Sequence, residues 1–272
     1  MSGSSSNEGP SCWILYDKTD LEGNRFFADR LRDSGRDLGM DCSVMTTDSI
    51  DPDQAPDIVV SRIRDSDILA ELEDYGSTVF NRSSVCRICN DKAFTYSFVR
   101  SLGIPVLPFA FPGNAYPPGP PWVVKTCAGH GGTEVFKADS EEEAERICKE
   151  LDGRRPIVQQ FASDPGKDMR VYVLGGKIIA TVLRSSDRDF RANFKLGGKA
   201  ELVEAPDVVR DIVRRIVPEL MADFIGVDFV FGDGGVYLNE IEDVVGTRML
   251  YSLTDLDPAR MYMEYIHSKM SL

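Results

Sequence analysis

Two alternating segments near the C-terminal end of the chain restrict how that region folds. Residues 226–231 and 236–242 each alternate apolar and polar side chains with a period of two, and a glycine-rich connection lies between them. This alternation is typical of β-strands, and the connection Asp233-Gly234-Gly235 favours a three-residue loop that ends in a bulge. The sequence therefore predicts a β-hairpin of defined register.

The predicted register places acidic side chains on one face of the hairpin. Counting back from the loop, position 230 pairs with position 238 and Asp228 with Glu240, while Glu242 follows on the same face. Carboxylates this close repel one another and raise one another's pKa unless cations lie among them. Mg²⁺ binds a few carboxylates together with the phosphates of a nucleotide. The pattern indicates a magnesium site, and an acidic strand face in contact with solvent is the open alternative.

The composition restricts the class of protein. The chain has 272 residues, a formal net charge of -13 at pH 7 and a sequence pI near 4.7. Because this charge repels nucleic acids and anionic membrane surfaces, we expect neither as a partner. No apolar run approaches about 18 residues, and the first residues lack the basic and apolar parts of a signal peptide. We therefore expect a cytoplasmic protein with a disordered tail over residues 1–10.

The first third of the chain alternates between apolar runs and segments with helical spacing. The predicted strands are residues 12–16, 43–45, 57–60 and 77–80, and the predicted helices are residues 26–38 and 68–72. Strands that alternate with helices are typical of a parallel sheet covered on both faces. We therefore predict an α/β domain over residues 1–90.

Two lysines lie in segments that suit phosphate binding. Lys125 ends an apolar strand that runs into the glycine-rich segment 126–132, and a second strand is predicted over residues 133–137. Glycines let backbone N–H groups approach phosphate oxygens, and a neighbouring lysine supplies positive charge. Lys92 lies in the first turn of a helix that Asn90 is predicted to cap, where the helix dipole disfavours a lysine. This position indicates a role other than stability.

Basic residues cluster after a second predicted hairpin. The hairpin spans residues 169–184 and turns at a glycine pair. The polar residues at its end and beyond it are Arg184, Arg188, Arg191 and Asn193. A concentration of guanidinium groups in a chain of negative net charge indicates an anionic partner with phosphate or carboxylate groups.

Several short motifs, taken in order, carry a resemblance to a known family. Before the acidic hairpin they are Asn90-Asp91-Lys92, Leu102-Gly103-Ile104-Pro105, Val124-Lys125 ahead of the glycine loop, Val158-Gln159-Gln160-Phe161, Asp168-Met169-Arg170 and Arg191-Ala192-Asn193. The set resembles the ATP-grasp superfamily, and most of all its RimK-type and glutathione-synthetase-like carboxylate-amine ligases. The similarity covers residues 77–250.

The resemblance implies an ATP-grasp fold of the α/β and α+β classes. A nucleotide is expected between two α+β lobes, residues 91–160 and 161–272, which follow the N-terminal parallel α/β domain. Lys92 and Lys125 would hold phosphates. The loop expected to close over them contains Gly129, His130, Gly131 and Gly132, and the residues expected to meet the adenine edge are Gln159, Gln160, Phe161 and Ala162.

The resemblance also implies the cofactors ATP and magnesium. Asp228, Glu240 and Glu242 would carry two magnesium ions, and the candidates for binding an acylphosphate are Arg170, Arg184, Arg191 and Asn193. In the family the position of Glu242 is usually asparagine and a Pro-Gly tends to follow it, whereas this chain continues with Asp243-Val244-Val245-Gly246. This departure leaves the geometry of substrate binding open.

The implied reaction joins a carboxylate to an amine. The substrate carboxylate attacks the γ-phosphate of ATP, and the amine then displaces phosphate from the acylphosphate. Such a step depends on alignment and charge neutralisation more than on a protein nucleophile. The substrates are expected to be small molecules or peptides, and a homo-oligomer is left open. The alternatives are a non-catalytic ATP-binding regulatory protein and a phosphotransferase built on the same fold.

Overall fold

The computed structural model describes residues 9–187, 189–192 and 198–270. Its strands are β1 (Ser11–Tyr16), β2 (Asp41–Thr46), β3 (Ile58–Arg62), β4 (Thr78–Phe80), β5 (Phe109–Ala110), β6 (Trp122–Thr126), β7 (Val135–Ala138), β8 (Pro156–Gln160), β9 (Lys167–Leu174), β10 (Lys177–Ser185), β11 (Lys199–Leu202), β12 (Phe224–Gly232) and β13 (Gly235–Glu242).

The helices are α1 (Lys18–Asp37), α2 (Ser66–Asp74), α3 (Ser83–Cys89), α4 (Lys92–Ser101), α5 (Glu141–Glu150), α6 (Asp207–Leu220), α7 (Arg248–Leu253) and α8 (Pro258–Lys269), with one turn of 3₁₀-helix at Pro52–Gln54. Within the described ranges, none of these helices combines the length and the apolar character that a membrane crossing requires.

The described residues form two compact units. The first contains the described part of Met1–Cys86 together with Ala222–Phe224 and the described residues from Asp243 onward. The second contains Arg87–Met221 and Ile225–Glu242. The domain boundaries expected at residues 90 and 160 stay predictions.

A parallel sheet forms the first unit, as predicted, with the strand order β2-β1-β3-β4. Every residue of β3 is buried, which is typical of a parallel strand covered on both faces. On one face Leu15 and Val59 pack with Leu69 and Leu72 of α2. Helices α1 and α8 pack together within this unit. The segment after Glu242 belongs to the predicted lobe 161–272. In the structure it contributes α8 to the first unit.

Two antiparallel sheets form the second unit. One has the order β5-β8-β6-β7, and the other has the order β11-β10-β9-β12-β13. In the first of these sheets Trp122, Val124 and Val158 pack against Ala144 and Ile147 of α5. The parallel sheet followed by antiparallel sheets confirms the predicted combination of α/β and α+β architecture.

The acidic hairpin forms between β12 and β13, but the register at its tip differs from the predicted one. Gly232 pairs with Gly235, and Val230 pairs with Tyr237 rather than with Leu238. The connection is therefore two residues long, and the predicted three-residue loop is wrong. Gly235 has a φ of 114°, in a region that favours glycine because a side chain would be strained there.

A β-bulge restores the predicted pairing of the acids. Phe229 pairs with Leu238, the register then shifts by one residue at Asn239, and Asp228 pairs with Glu240. The extra residue lies within β13 instead of in the loop. The juxtaposition of Asp228 and Glu240 is thus confirmed, and its cause is a bulge rather than the loop length.

The start of α4 also differs in detail from the prediction. Asp91, and not Asn90, is the N-cap, because its Oδ1 accepts hydrogen bonds from the backbone N–H groups of Ala93 at 2.9 Å and Phe94 at 3.1 Å. Lys92 is the first residue of the helix and is buried. The cap thus fixes where the Lys92 side chain leaves the backbone.

Candidate active site

Three carboxylates, those of Asp228, Glu240 and Glu242, meet in the second unit. Each offers one oxygen, and these oxygens all lie within 4.8 Å of one another. Asp228 is buried, whereas the side chains of Glu240 and Glu242 retain 18% and 24% of their exposure. A set of hard oxygen donors at this spacing fits the ligand preference of Mg²⁺, and the two partly exposed carboxylates are the accessible members of the set.

Arg170 on β9 and Arg184 on β10 hold the buried acid. Arg170 binds Asp228 in bidentate fashion, since Nε donates to Oδ1 at 2.7 Å and Nη2 donates to Oδ2 at 2.6 Å. Arg184 donates to the same Oδ2 at 2.8 Å and forms an ion pair with Asp168. Burial raises the pKa of Asp228, but the guanidinium groups of Arg170 and Arg184 outweigh burial and lower this pKa to about 2.

The acidic and basic clusters therefore neutralise each other. Arginine side chains lie among the carboxylates and offset their mutual repulsion. Arg170 also donates to Glu242 at 2.6 Å. Burial raises the pKa of Glu242, the charge of Arg170 opposes this effect, and the nearby carboxylates of Asp228 and Glu240 add to it. The anionic partners of Arg184 are likewise residues of this chain.

The two predicted phosphate-binding lysines lie beside the carboxylates. Lys92 binds Glu240 at 3.2 Å and donates to the backbone carbonyl of Gly129. Lys125, at the end of β6, donates to Oδ1 of Asn239 at 2.9 Å. Burial lowers the pKa of Lys92, but the charge and hydrogen bond of Glu240, together with Tyr96 and Cys127, outweigh burial and the pKa is raised. Burial, and then the charge of Lys92, lower the pKa of Lys125 to about 7.

The glycine-rich loop is tied to this region from two sides. Lys92 binds the Gly129 carbonyl, and Nη1 of Arg191 donates to the Gly132 carbonyl at 3.0 Å. Gly131 and Gly132 have φ values of 67° and 75°, which favour glycine. His130 is exposed. The structure thus brings Lys92, Lys125, the loop and Arg191 into one connected region.

Arg191 has its own counter-ion. Its Nε and Nη2 bind the carboxylate of Asp189 at 3.0 and 2.8 Å, and its side chain is 29% exposed. It is therefore more accessible than Arg170 and Arg184, whose side chains are 8% exposed. Of the four predicted catalytic residues, Asn193 lies outside the described residues.

The residues predicted to meet adenine lie at the end of β8. They are Gln159, Gln160, Phe161 and Ala162. Gln159 is buried, with its Oε1 at 3.5 Å from the hydroxyl of Tyr96. The backbone N–H of Gln160 donates to the Pro108 carbonyl at 2.8 Å, so this N–H is already used within the chain. Adenine binding by the four residues stays a prediction.

The sequence pattern did not predict two residues of the site, Asn239 and Tyr96. Asn239 holds Lys125, and the hydroxyl of Tyr96 donates to the Asn239 backbone carbonyl at 2.9 Å. In a strictly alternating strand Asn239 would point away from the face of Glu240. Its place in the site follows only from the bulge. Tyr96 carried a weak signal, because it lies one helical turn after Lys92.

Comparisons with known proteins identify the family of the chain. The profile of the family described as RimK-like ATP-grasp domain matches residues 116–266. A Mycoplasma pneumoniae protein with the name Uncharacterized protein MG011 homolog is 26% identical over 92% of this chain and 90% of its own length. The probable alpha-L-glutamate ligase 1 of Pseudoalteromonas atlantica is 29% identical over 75% of this chain and 72% of its own length.

A solved structure shares the fold. The crystal structure of a RimK domain protein ATP-grasp from Sphaerobacter thermophilus superposes with a TM-score of 0.73 at 20% identity and covers 94% of this chain and 99% of that one. At this level of identity the likeness concerns the fold alone.

Proposed function

The chain belongs to the RimK-like ATP-grasp family, which makes it an ATP-grasp ligase, and on this premise we propose that it joins a substrate carboxylate to an amine through an acylphosphate, with magnesium. The observation that carries the proposal is the contact between two kinds of side chain. Lys92, a buried lysine that suits phosphate, pairs with Glu240, a partly exposed carboxylate that suits Mg²⁺, and Lys125 binds the neighbouring Asn239.

The chain's own residues have distinct tasks in this proposal. Lys92 and Lys125 bind the phosphates of ATP. Glu240 and Glu242, with Asp228 behind them, hold magnesium, which when bound neutralises charge on the phosphates. Arg170 and Arg184 keep the Asp228 carboxylate ionised and oriented. Because their hydrogen bonds are made to this acid, we assign them to positioning.

The reaction needs no protein nucleophile. A carboxylate oxygen of the substrate attacks the γ-phosphorus and ADP leaves. The amine nitrogen then attacks the acyl carbon, loses a proton, and inorganic phosphate leaves as the C–N bond forms. Arg191, which is partly exposed and bound to the glycine loop, is the guanidinium best placed to contact the transferred phosphoryl group.

The names of relatives guide the choice of substrates. The Pseudoalteromonas atlantica relative is named as a probable alpha-L-glutamate ligase. We therefore propose an amino acid as the amine substrate, with glutamate the first to assay.

The test is a screen for ATP-dependent phosphate release with magnesium, glutamate and other amino acids, and short peptides as acceptors. Mass spectrometry of the products identifies the reaction. An amide product together with released phosphate supports the ligase, whereas a stable phosphate ester shows a phosphotransferase. Tight ATP binding without turnover across the full panel favours the regulatory protein and contradicts our proposal.

A further inference from the structure

The bulge in β13 places two consecutive side chains against two neighbouring lysines. In a regular strand Asn239 and Glu240 point to opposite faces of the sheet. Here the register shift at Asn239 lets its side chain bind Lys125 while Glu240 binds Lys92. The two lysines are thus held by adjacent residues of one strand.

The partners of these lysines differ in charge. Lys92 has a carboxylate at 3.2 Å, whereas Lys125 has the neutral amide oxygen of Asn239 at 2.9 Å. Lys125 is 4% exposed, and no carboxylate among the described residues lies within ion-pair distance of it. A buried ammonium group without a counter-ion is costly, so this position favours an anionic ligand.

The surroundings of Lys125 hold Asn239 in place. The backbone carbonyl of Asn239 accepts a hydrogen bond from Tyr96 at 2.9 Å, and the Tyr96 ring centroid lies 5.5 Å from the Lys125 ammonium. The direct contacts of this ammonium with Asn239 and Tyr96 are therefore neutral or aromatic, and the charge of Glu240 acts on it from beyond ion-pair distance. These contacts orient the cation without a direct ion pair.

We propose that Asn239 is a positioning residue for the nucleotide, which holds Lys125 through a neutral acceptor so that the lysine charge is kept for a phosphate group. The inference rests on the proposed function, because it takes the anionic ligand to be the phosphates of ATP. A carboxylate at position 239 would supply an internal counter-ion and compete with phosphate for Lys125. A leucine there would remove the acceptor altogether.

The test compares Asn239→Asp and Asn239→Leu with the wild-type chain. Calorimetry measures ATP affinity with magnesium and with EDTA, and the thermal midpoint of the ATP-free protein is measured alongside. Asn239→Asp is expected to raise the Kd for ATP about tenfold or more, equivalent to about 1.4 kcal/mol, in both conditions without a lower midpoint. Asn239→Leu is expected to lower both affinity and midpoint, since the amide acceptor of Lys125 is lost.

The control is Asn114→Asp, which adds the same charge at an exposed position and should leave both quantities unchanged. Wild-type ATP affinity in Asn239→Asp overturns the inference and leaves the proposed function intact. A lower midpoint together with weaker binding in Asn239→Asp also overturns it, because the amide is then a structural requirement. No ATP binding by the wild-type chain overturns the proposed function itself.

Discussion

Arg170 and Asp228 form a bidentate ion pair that is buried at both ends, with exposures of 7% and 3%. Arg184 shares the same carboxylate. The acid is therefore an anchor for two buried guanidinium groups as well as a neighbour of the accessible glutamates. Its loss affects the folded state before any ligand is bound.

Asp228→Asn should destabilise the ligand-free protein by about 3 kcal/mol, because it leaves buried arginines without their shared counter-ion. Chemical denaturation with the midpoint as readout checks this. Asp211→Asn is the matched control, since it removes an exposed partner of Arg214 and should have little effect. An unchanged or raised midpoint in Asp228→Asn would show that repulsion between the acids dominates after all.

Lys125→Met should abolish most of the rise in thermal midpoint that ATP with magnesium produces in the wild-type chain. A ligand that binds only the native state stabilises it by mass action, and this variant removes the buried lysine that we propose to bind phosphate. Lys137→Met on β7, whose side chain is 40% exposed, is the control and should keep the full shift. Equal shifts in both variants contradict the phosphate role of Lys125.

ATP binding should take up protons above pH 7. Burial and then Lys92 lower the pKa of Lys125 to about 7, so the free protein holds this lysine mostly neutral at pH 8. In the free state the charge of Glu240 partly opposes the effect of Lys92 on the pKa of Lys125. Bound phosphates add negative charge and favour the charged form of Lys125. Calorimetry in buffers of different ionisation enthalpy should show uptake of up to about one proton at pH 8 and much less at pH 6.

Lys125→Arg separates this uptake from the titration of ATP itself, because arginine stays charged at both pH values. The variant should show only the proton exchange of the nucleotide. The same shift has a consequence for stability: the unfolded lysine is protonated at pH 8 and the native one is not, so the contribution of Lys125 to stability rises with pH from about 7 upward. Identical uptake in both proteins excludes Lys125 as the source.

Arg191→Ala should depress kcat by about a hundredfold or more with a smaller change in ATP affinity, as expected for a contact made mainly in the transition state. Steady-state kinetics with ATP varied checks this. Arg214→Ala removes another partly paired arginine on α6 and serves as the control. A loss of ATP affinity as large as the loss of kcat would show that Arg191 binds ATP in the ground state. Full activity would show that its contact with the glycine loop has no role in catalysis.

Glu242→Asn should weaken magnesium affinity but retain turnover at saturating magnesium. The asparagine keeps an oxygen ligand and lowers the negative charge. Arg170 keeps its bidentate bond to Asp228, so the midpoint should fall less than in Asp228→Asn. A magnesium titration of activity checks this prediction, and complete inactivity at high magnesium contradicts it.

The sequence predicted more of the elements than of their contacts. Alternation and glycine positions were sufficient for β1 to β4 and for the Gly175-Gly176 turn, because these patterns are local. The Arg170–Asp228 pair joins residues 58 positions apart, and it depends on β9 lying next to β12. No local pattern encodes that adjacency. The roles of Arg170 and Asp228 were therefore assigned separately, although the two charges form one unit.

Asn239 shows the same limit at the scale of one residue. The period of two gave the right pairing for Asp228 and Glu240 from the wrong loop, because a bulge and a longer loop shift the register equally. The two alternatives differ in the pairings toward the tip and in which residue is left unpaired. The unpaired residue, Asn239, binds Lys125 of β6, a contact that no pattern within the hairpin predicts.

The bulge also separates the hairpin into two parts that respond differently to engineering. Residues beyond it toward the tip keep a simple two-residue connection, while the acids lie on the far side of the register shift. A peptide tag or a fluorescent group inserted between Asp233 and Gly234 would extend only the tip. The hairpin tip thus offers an attachment point that the register shift separates from Asp228 and Glu240.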